Sequence, residues 1–174
     1  MLALTAALAV ANAAATAPGA AAIASAYPLA SRAGYQVLEQ GGNAFDAAVA
    51  VAAALAVVEP NGSGLAGGGF FLLHRAADGH QVMVDARERA PAAATRDMFL
   101  DAGGQPVAGA STEGPLAAGI PGEPAALEHL SRRYGRLPLA ASLAPAIRLA
   151  RDGFPVYPVL REALAGKAED LRRS

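Results

Sequence analysis

Residues 41–60 read GGNAFDAAVAVAAALAVVEP, the pattern of one apolar helix with a marked beginning and end. Asn43 is a favourable N-cap, and Asp46 lies in the first turn, where a carboxylate complements the helix dipole. Every other side chain from residue 44 to residue 58 is apolar, and a helix that is apolar on all faces is buried on nearly all of them. Glu59-Pro60 ends the helix, because proline disfavours α geometry in the residue before it. We therefore predict a buried helix over residues 44–58.

The sequence on either side of this helix predicts a mixed α/β domain. Apolar residues at helical spacing before Gly41-Gly42 predict a helix over residues 29–40. After a glycine-rich loop, two short apolar runs predict a hairpin of residues 70–74, read as a buried strand, and residues 81–85. Residues 97–122 are rich in Gly, Pro and Ala and predict a long surface loop. Three more helices are predicted, over residues 123–134, over residues 142–151 and from residue 157 to the C-terminus.

Composition excludes several classes of function. The 14 Lys and Arg residues are interspersed with 15 Asp and Glu, which differs from the basic stripe of a nucleic-acid binder. The absence of cysteine excludes disulfides, zinc-thiolate sites and thiol nucleophiles. The histidines at positions 74, 80 and 129 lack a metal-binding spacing such as HExxH. We expect no metal, no cofactor and no nucleic-acid partner.

Residues 1–19 are interpreted separately from the domain that we expect over residues 20–174. Residues 1–15 are apolar, and Ala11-Asn12-Ala13 fits the small-x-small cleavage pattern of a signal peptide, but no Lys or Arg precedes Arg32. The run is too short to span a bilayer, so we expect no membrane partner. Two interpretations stay open. A signal peptide would make the protein periplasmic or secreted, and a disordered leader would leave it cytoplasmic.

The spacing Gly62-x-Gly64-x-x-Gly67 matches the glycine positions of the dinucleotide-binding fingerprint but not its structural context. That fingerprint follows a strand and opens a helix, so that the pyrophosphate meets the helix N-terminus. Here the loop follows a predicted helix and enters a predicted strand. We interpret it as a place where backbones approach closely, because glycine has no Cβ to collide.

Arg87 is the main candidate for ligand binding. It follows the second predicted strand directly, and an arginine there can present its planar fork to a carboxylate through two parallel hydrogen bonds. Judged from the residues alone, a solvated ion pair with Asp85 or Glu88 is the favoured interpretation. Asp85 and Glu88 could instead form a pair of acids, although nothing else in the sequence supports acid–base catalysis.

Several segments taken together resemble the γ-glutamyltranspeptidase (glutathione hydrolase) family, in its N-terminal, large-subunit part. Residues 40–51 match the family's GGNAxDAAVA helix, residues 59–70 match its glycine loop, and residues 84–91 match its DxRExAP segment. Further matching segments follow the family order, at residues 24–31, 119–122, 134–139 and 149–154. Each motif is modestly specific, whereas the ordered set over roughly residues 20–160 is highly specific.

The resemblance implies a fold, a reaction and a role for Arg87. The family folds as a four-layer αββα sandwich of the N-terminal-nucleophile type. A precursor cleaves itself into two subunits, and the new N-terminal threonine of the small subunit attacks γ-glutamyl amides such as glutathione, with its own α-amine as the base. The arginine of DxRExAP, here Arg87, binds the α-carboxylate of the γ-glutamyl group. The implied partners are a γ-glutamyl substrate and a C-terminal small subunit.

Two departures from the family pattern keep alternatives open. Ala86 stands where an aromatic residue often precedes the arginine, which could loosen the packing around Arg87. The sequence stops at Ser174, before the region that carries the threonine, so the resemblance places no catalytic residue here and implies that this chain alone is inactive. The alternatives are a catalytically inactive fragment and a cephalosporin-acylase-like member of the same superfamily.

Overall fold

The computed structural model describes residues 21–173. The predicted leader, residues 1–19, lies outside this range. The described elements, in chain order, are α1 (Pro28–Glu39), α2 (Ala44–Val58), β1 (Phe70–Arg75), β2 (His80–Asp85), a short 3₁₀ turn (Pro115–Ala117), α3 (Glu123–Tyr134), α4 (Leu139–Asp152), α5 (Pro158–Gly166) and α6 (Ala168–Arg173). The mixed helix and strand content that the sequence predicted is confirmed.

The central element is α2, and α1, α3 and α4 pack against it. Seven of its fifteen residues are buried and seven more are partly buried, so the prediction of a helix buried on nearly all faces is confirmed only in part. Small side chains dominate the contact, so the helix axes can approach closely. The buried cluster comprises Ala30, Ala33, Val37, Val49, Ala50, Ala53, Ala54, Val58, Leu73, Leu127, Leu130 and Ala146.

A buried polar network joins the start of α2 to the loop between α3 and α4. Asn43 and Asp46 form the predicted N-cap as a full capping box: the Asn43 backbone N–H donates to Asp46 Oδ2 at 2.9 Å, and Asn43 Oδ1 accepts the Asp46 backbone N–H at 3.1 Å. Asp46 is fully buried and also accepts the backbone N–H groups of Arg136 at 2.9 Å and Leu137 at 3.4 Å. The Asn43 side chain donates to the Tyr134 carbonyl at 2.7 Å. The prediction that Asp46 complements the helix dipole was therefore incomplete, because the carboxylate also binds the loop between α3 and α4.

The hairpin is antiparallel, with Leu72 opposite Met83 and Phe70 opposite Asp85. The prediction that the first strand is buried was wrong, because only Leu73 of β1 is buried. One face of the hairpin packs on the helices through Phe71, Leu73, Val82 and Val84. The other face has no covering element among residues 21–173, so Phe70, Leu72 and Met83 are 60%, 82% and 62% exposed.

The C-terminal helices differ from prediction in their limits. The helix predicted over residues 142–151 begins earlier, at Leu139, because Leu-Ala-Ala favours helix and Pro138 provides the boundary. The helix predicted from residue 157 onward is two helices, α5 and α6, separated at Lys167. Tyr157 anchors this end, since its ring stacks on Tyr27 at 4.4 Å and its hydroxyl donates to the Val58 carbonyl at 3.0 Å. Within the described part of the chain, no helix has both the length and the apolarity to cross a membrane.

Candidate functional site

The segment that follows β2, residues 86–89, is held by backbone hydrogen bonds on both sides. Ala86 exchanges two hydrogen bonds with Gly69, at 3.0 and 3.3 Å, which continue the hairpin ladder by one pair. Arg89 exchanges two more with Ile120, at 2.8 and 3.2 Å. Arg87 and Glu88 lie between these anchors, so the backbone from which the Arg87 side chain extends is fixed.

Two glycines make this arrangement possible. A Cβ added at Gly68 or at Gly122 would collide with the Ala86 carbonyl oxygen, so only glycine fits at either position. The Gly67 carbonyl accepts the N–H groups of Gly122 and Glu123, at 3.1 and 3.2 Å, and so joins the glycine loop to the start of α3. The prediction that this loop marks a close approach of backbones is confirmed. The loop runs from α2 into β1, the reverse of the order that dinucleotide binding requires.

The Arg87 guanidinium lies at the surface, beside one carboxylate. Its side chain is 65% exposed, and Nη1 lies 3.0 Å from Glu88 Oε2, in an ion pair without the alignment of a hydrogen bond. Asp85 interacts with Arg87 through the backbone, since Asp85 Oδ1 accepts the Arg87 N–H at 3.0 Å. The Glu88 side chain is 29% exposed and its Oε2 is buried without a hydrogen bond, so a ligand carboxylate would share the Arg87 guanidinium with Glu88. The fork retains N–H donors that could bind one.

Arg87 borders two clefts. The first, which we name the glycine-loop cleft, has a volume of about 520 Å³ and is lined by the loop around Ser63 and Gly67, the end of α2, Glu88 and Glu123. Burial raises the pKa of Glu123, which disfavours its charged form. Ser63 is engaged within the loop, where its hydroxyl donates to Glu59 Oε2 at 2.7 Å.

The second cleft, which Ala86 also lines, has a volume of about 320 Å³. We name it the Arg89 cleft, because Arg87 and Arg89 line it together with Ala126 and His129 of α3. The His129 ring packs edge-on against Tyr134, with centroids 6.0 Å apart. Small side chains at Ala86, Ala125 and Ala126 leave the space open.

The structure places the predicted site residues in one short segment. Asp85, Arg87 and Glu88 come together at the end of β2, as their adjacency requires. Sequence analysis did not place Glu123 or His129 at the clefts that Arg87 borders, because both belong to a helix more than thirty residues further on. One sequence signal bore on this arrangement. The GIPG segment at residues 119–122 matches the family, directly precedes α3, and is bonded to Arg89 through Ile120. No cluster of three His, Asp or Glu side chains that could hold a metal occurs within residues 21–173.

Comparisons with known proteins agree on one family. The family model of gamma-glutamyltranspeptidase matches residues 30–174. The glutathione hydrolase proenzyme of Bacillus subtilis is 44% identical over 154 residues, which cover 87% of this chain and 26% of the relative. The crystal structure of gamma-glutamyltranspeptidase from Helicobacter pylori superposes with a TM-score of 0.82 at 44% identity, over 87% of this chain and 43% of that one.

A relative that is named for another reaction has a similar structure. The cephalosporin acylase of Bacillus halodurans superposes with a TM-score of 0.71 at 35% identity, over 84% of this chain and 26% of that chain. The chain spans about a quarter of the length of the curated relatives that it matches. The family model nevertheless covers most of its residues, and the chain belongs to the γ-glutamyltranspeptidase family.

Proposed function

We propose that the full-length protein containing this chain hydrolyses and transfers γ-glutamyl groups, with glutathione as a donor. The observation that carries this proposal is the placement of Arg87. Its backbone is fixed between Gly69 and Ile120, its fork is open to two clefts, and it occupies the arginine position of the DxRExAP motif. A bidentate pair with the α-carboxylate would then hold the γ-glutamyl group in one orientation.

The chemistry itself belongs to residues that the family carries further along the chain. A threonine, freed as the N-terminus of a small subunit, would form an acyl-enzyme with the γ-carbonyl, and water or an amino acid would release the acyl group. In this scheme the described residues bind and orient the donor. The small subunit is thus a proposed partner, and the proposed catalytic residue is not one of the 174 residues.

A direct test is the release of a chromogenic amine from a γ-glutamyl anilide by the purified full-length protein. We expect turnover in water and faster release when an acceptor amino acid is added, because the acyl-enzyme is then consumed by two routes. A protein with its processing threonine changed to alanine is the control. Absence of turnover by a correctly processed wild-type protein would contradict the proposal.

A second candidate function is the acylase reaction, and the likeness to the Bacillus halodurans cephalosporin acylase favours it. The two candidates differ in what the donor must carry. Both donors carry the carboxylate that Arg87 would bind, but a glutaryl group lacks the α-amino group that a γ-glutamyl group has. Comparing γ-glutamyl and glutaryl anilides therefore separates them, and the γ-glutamyl anilide is expected to be preferred.

We also propose that the hairpin is part of one sheet of the four-layer sandwich implied by the family resemblance. The exposed face with Phe70, Leu72 and Met83 supports this, since stacked sheets bury such alternating apolar residues between them. A contiguous exposed apolar face commonly marks an interaction surface. The second sheet of the sandwich would cover it.

Placing a charge on this face should block assembly. Leu72→Lys in the full-length precursor is expected to lower the fraction cleaved into subunits several-fold, because a buried lysine without a partner is strongly unfavourable. The cleaved fraction is read from denaturing gels. Val107→Lys, which changes a half-exposed loop residue, is the matched control. Normal processing of Leu72→Lys would show that no sheet packs there.

A further inference from the structure

The Arg89 cleft carries a cationic group with no assigned partner. Arg87 has Glu88 beside it, but Arg89 has no side-chain ion pair or hydrogen bond to any residue in the range 21–173. The one acidic residue lining this cleft is Asp85, and its Oδ1 accepts the Arg87 N–H. His129 contributes a further ring that can donate a hydrogen bond. The wall therefore has an excess of positive charge and donors.

The Arg89 side chain starts from a fixed backbone. Its N–H and C=O both bond to Ile120, at 3.2 and 2.8 Å, and the two anchors leave residues 86–89 little freedom. A long side chain on a fixed backbone loses less conformational entropy on binding than one on a mobile loop. The geometry is thus suited to holding an anion at a defined distance from Arg87.

That distance fits a ligand with two carboxylates. Residues two apart on an extended segment are separated by roughly 7 Å at Cα and have side chains on the same side. Both arginines are among the residues that line this cleft. A γ-glutamyl tripeptide has carboxylates at its two ends, separated by up to about 10 Å when extended. Arg87 and Arg89 can reach both ends at once.

We propose that Arg89, together with His129 of the same cleft, forms a second carboxylate subsite that selects γ-glutamyl donors whose leaving group ends in a carboxylate. This inference rests on the proposed function, in which Arg87 binds the first carboxylate. Arg89 is a specificity residue in this scheme, since it touches the leaving group and not the reacting bond. Glutathione has the required second carboxylate, whereas a γ-glutamyl anilide does not.

The experiment compares three donors in the full-length protein: glutathione, glutathione with its glycine carboxylate converted to carboxamide, and a γ-glutamyl anilide. Arg89→Gln should raise KM about tenfold for glutathione and leave KM for the other two unchanged, because only glutathione loses a charge-assisted pair. Arg96→Gln is the control for the loss of one positive charge, since its side chain is 96% exposed and lines neither cleft.

Binding measured by calorimetry, on full-length proteins whose processing threonine is changed to alanine, gives a readout that does not depend on turnover. The Kd of glutathione should weaken with Arg89→Gln, while the Kd of the carboxamide analogue should stay the same. Equal changes for all three donors, or no change for glutathione, would overturn the subsite. If wild type binds glutathione through Arg89 but turns over no donor, the subsite stands and the proposed reaction fails.

Discussion

Replacing Arg87 in the full-length protein is expected to reduce kcat/KM for a γ-glutamyl anilide by tens- to thousands-fold. Once substrate covers the guanidinium, loss of one partner of the charge pair costs about 2–5 kcal/mol, so Arg87→Ala should be the severe change. Arg87→Lys keeps the charge but loses the fork, so an intermediate loss of about tenfold is expected. The loss should appear mainly in KM if the contact is equally strong in the ground and transition states.

Arg89→Ala is the internal control for this prediction, because Arg89 extends from the same fixed segment. With the anilide, which has no second carboxylate, Arg89→Ala should be near wild type. Near-normal kinetics for Arg87→Ala together with damage from Arg89→Ala would mean that the role carried over from the family motif belongs to the wrong arginine. Assaying a γ-glutamyl anilide beside its analogue without the α-carboxylate shows whether the loss of kcat/KM comes from that carboxylate. Arg87→Ala should bring the two donors to similar KM values.

Elements with strong local signals were predictable from the sequence. The limits of α2 were predicted correctly because Asn43 and Asp46 mark its start and Glu59-Pro60 its end, all within a few residues of the helix. The hairpin followed from two apolar runs with a turn between them. Arg87 was singled out through the ordered family motifs, since its own neighbours favoured an ion pair. The structure shows that pair with Glu88, and the binding role of Arg87 stays a prediction.

The features that could not be predicted from the sequence depend on contacts between segments that are distant along the chain. Burial of Phe70 and Leu72 was predicted from their apolar character, but burial also requires a covering layer, and residues 21–173 provide one on a single face of the hairpin. The Arg89 cleft needs α3 to lie against residues 86–89, a contact with no local signal. Similarly, Asp46 was interpreted from its own helix, whereas two of its backbone donors lie some ninety residues away.

The last prediction concerns that carboxylate. Asp46→Ala is expected to lower the free energy of unfolding of this chain by about 3–5 kcal/mol, since it leaves the backbone N–H groups of Asn43, Arg136 and Leu137 without their acceptor. Each buried donor left unsatisfied costs roughly 1–3 kcal/mol, reduced where water can enter. Asp46→Asn should cost less, because it retains the volume and one acceptor oxygen while presenting an amide NH₂ to some of the same donors.

Urea unfolding followed by circular dichroism measures these differences, and Asp101→Ala is the matched control. Asp101 Oδ1 also accepts two backbone N–H groups, from Gly103 at 2.8 Å and Gln105 at 2.9 Å, but in an exposed loop. Water replaces the lost acceptor there, so the expected cost is below about 1 kcal/mol. If Asp46→Ala is too unstable to fold, the free energy of unfolding of Asp46→Asn can still be compared with that of Asp101→Ala. Equal small losses for Asp46→Ala and Asp101→Ala would mean that the carboxylate does not join α2 to the α3–α4 loop. The larger loss expected at Asp46 than at Asp101 follows from burial, because both carboxylates accept backbone N–H groups and only Asp46 is buried.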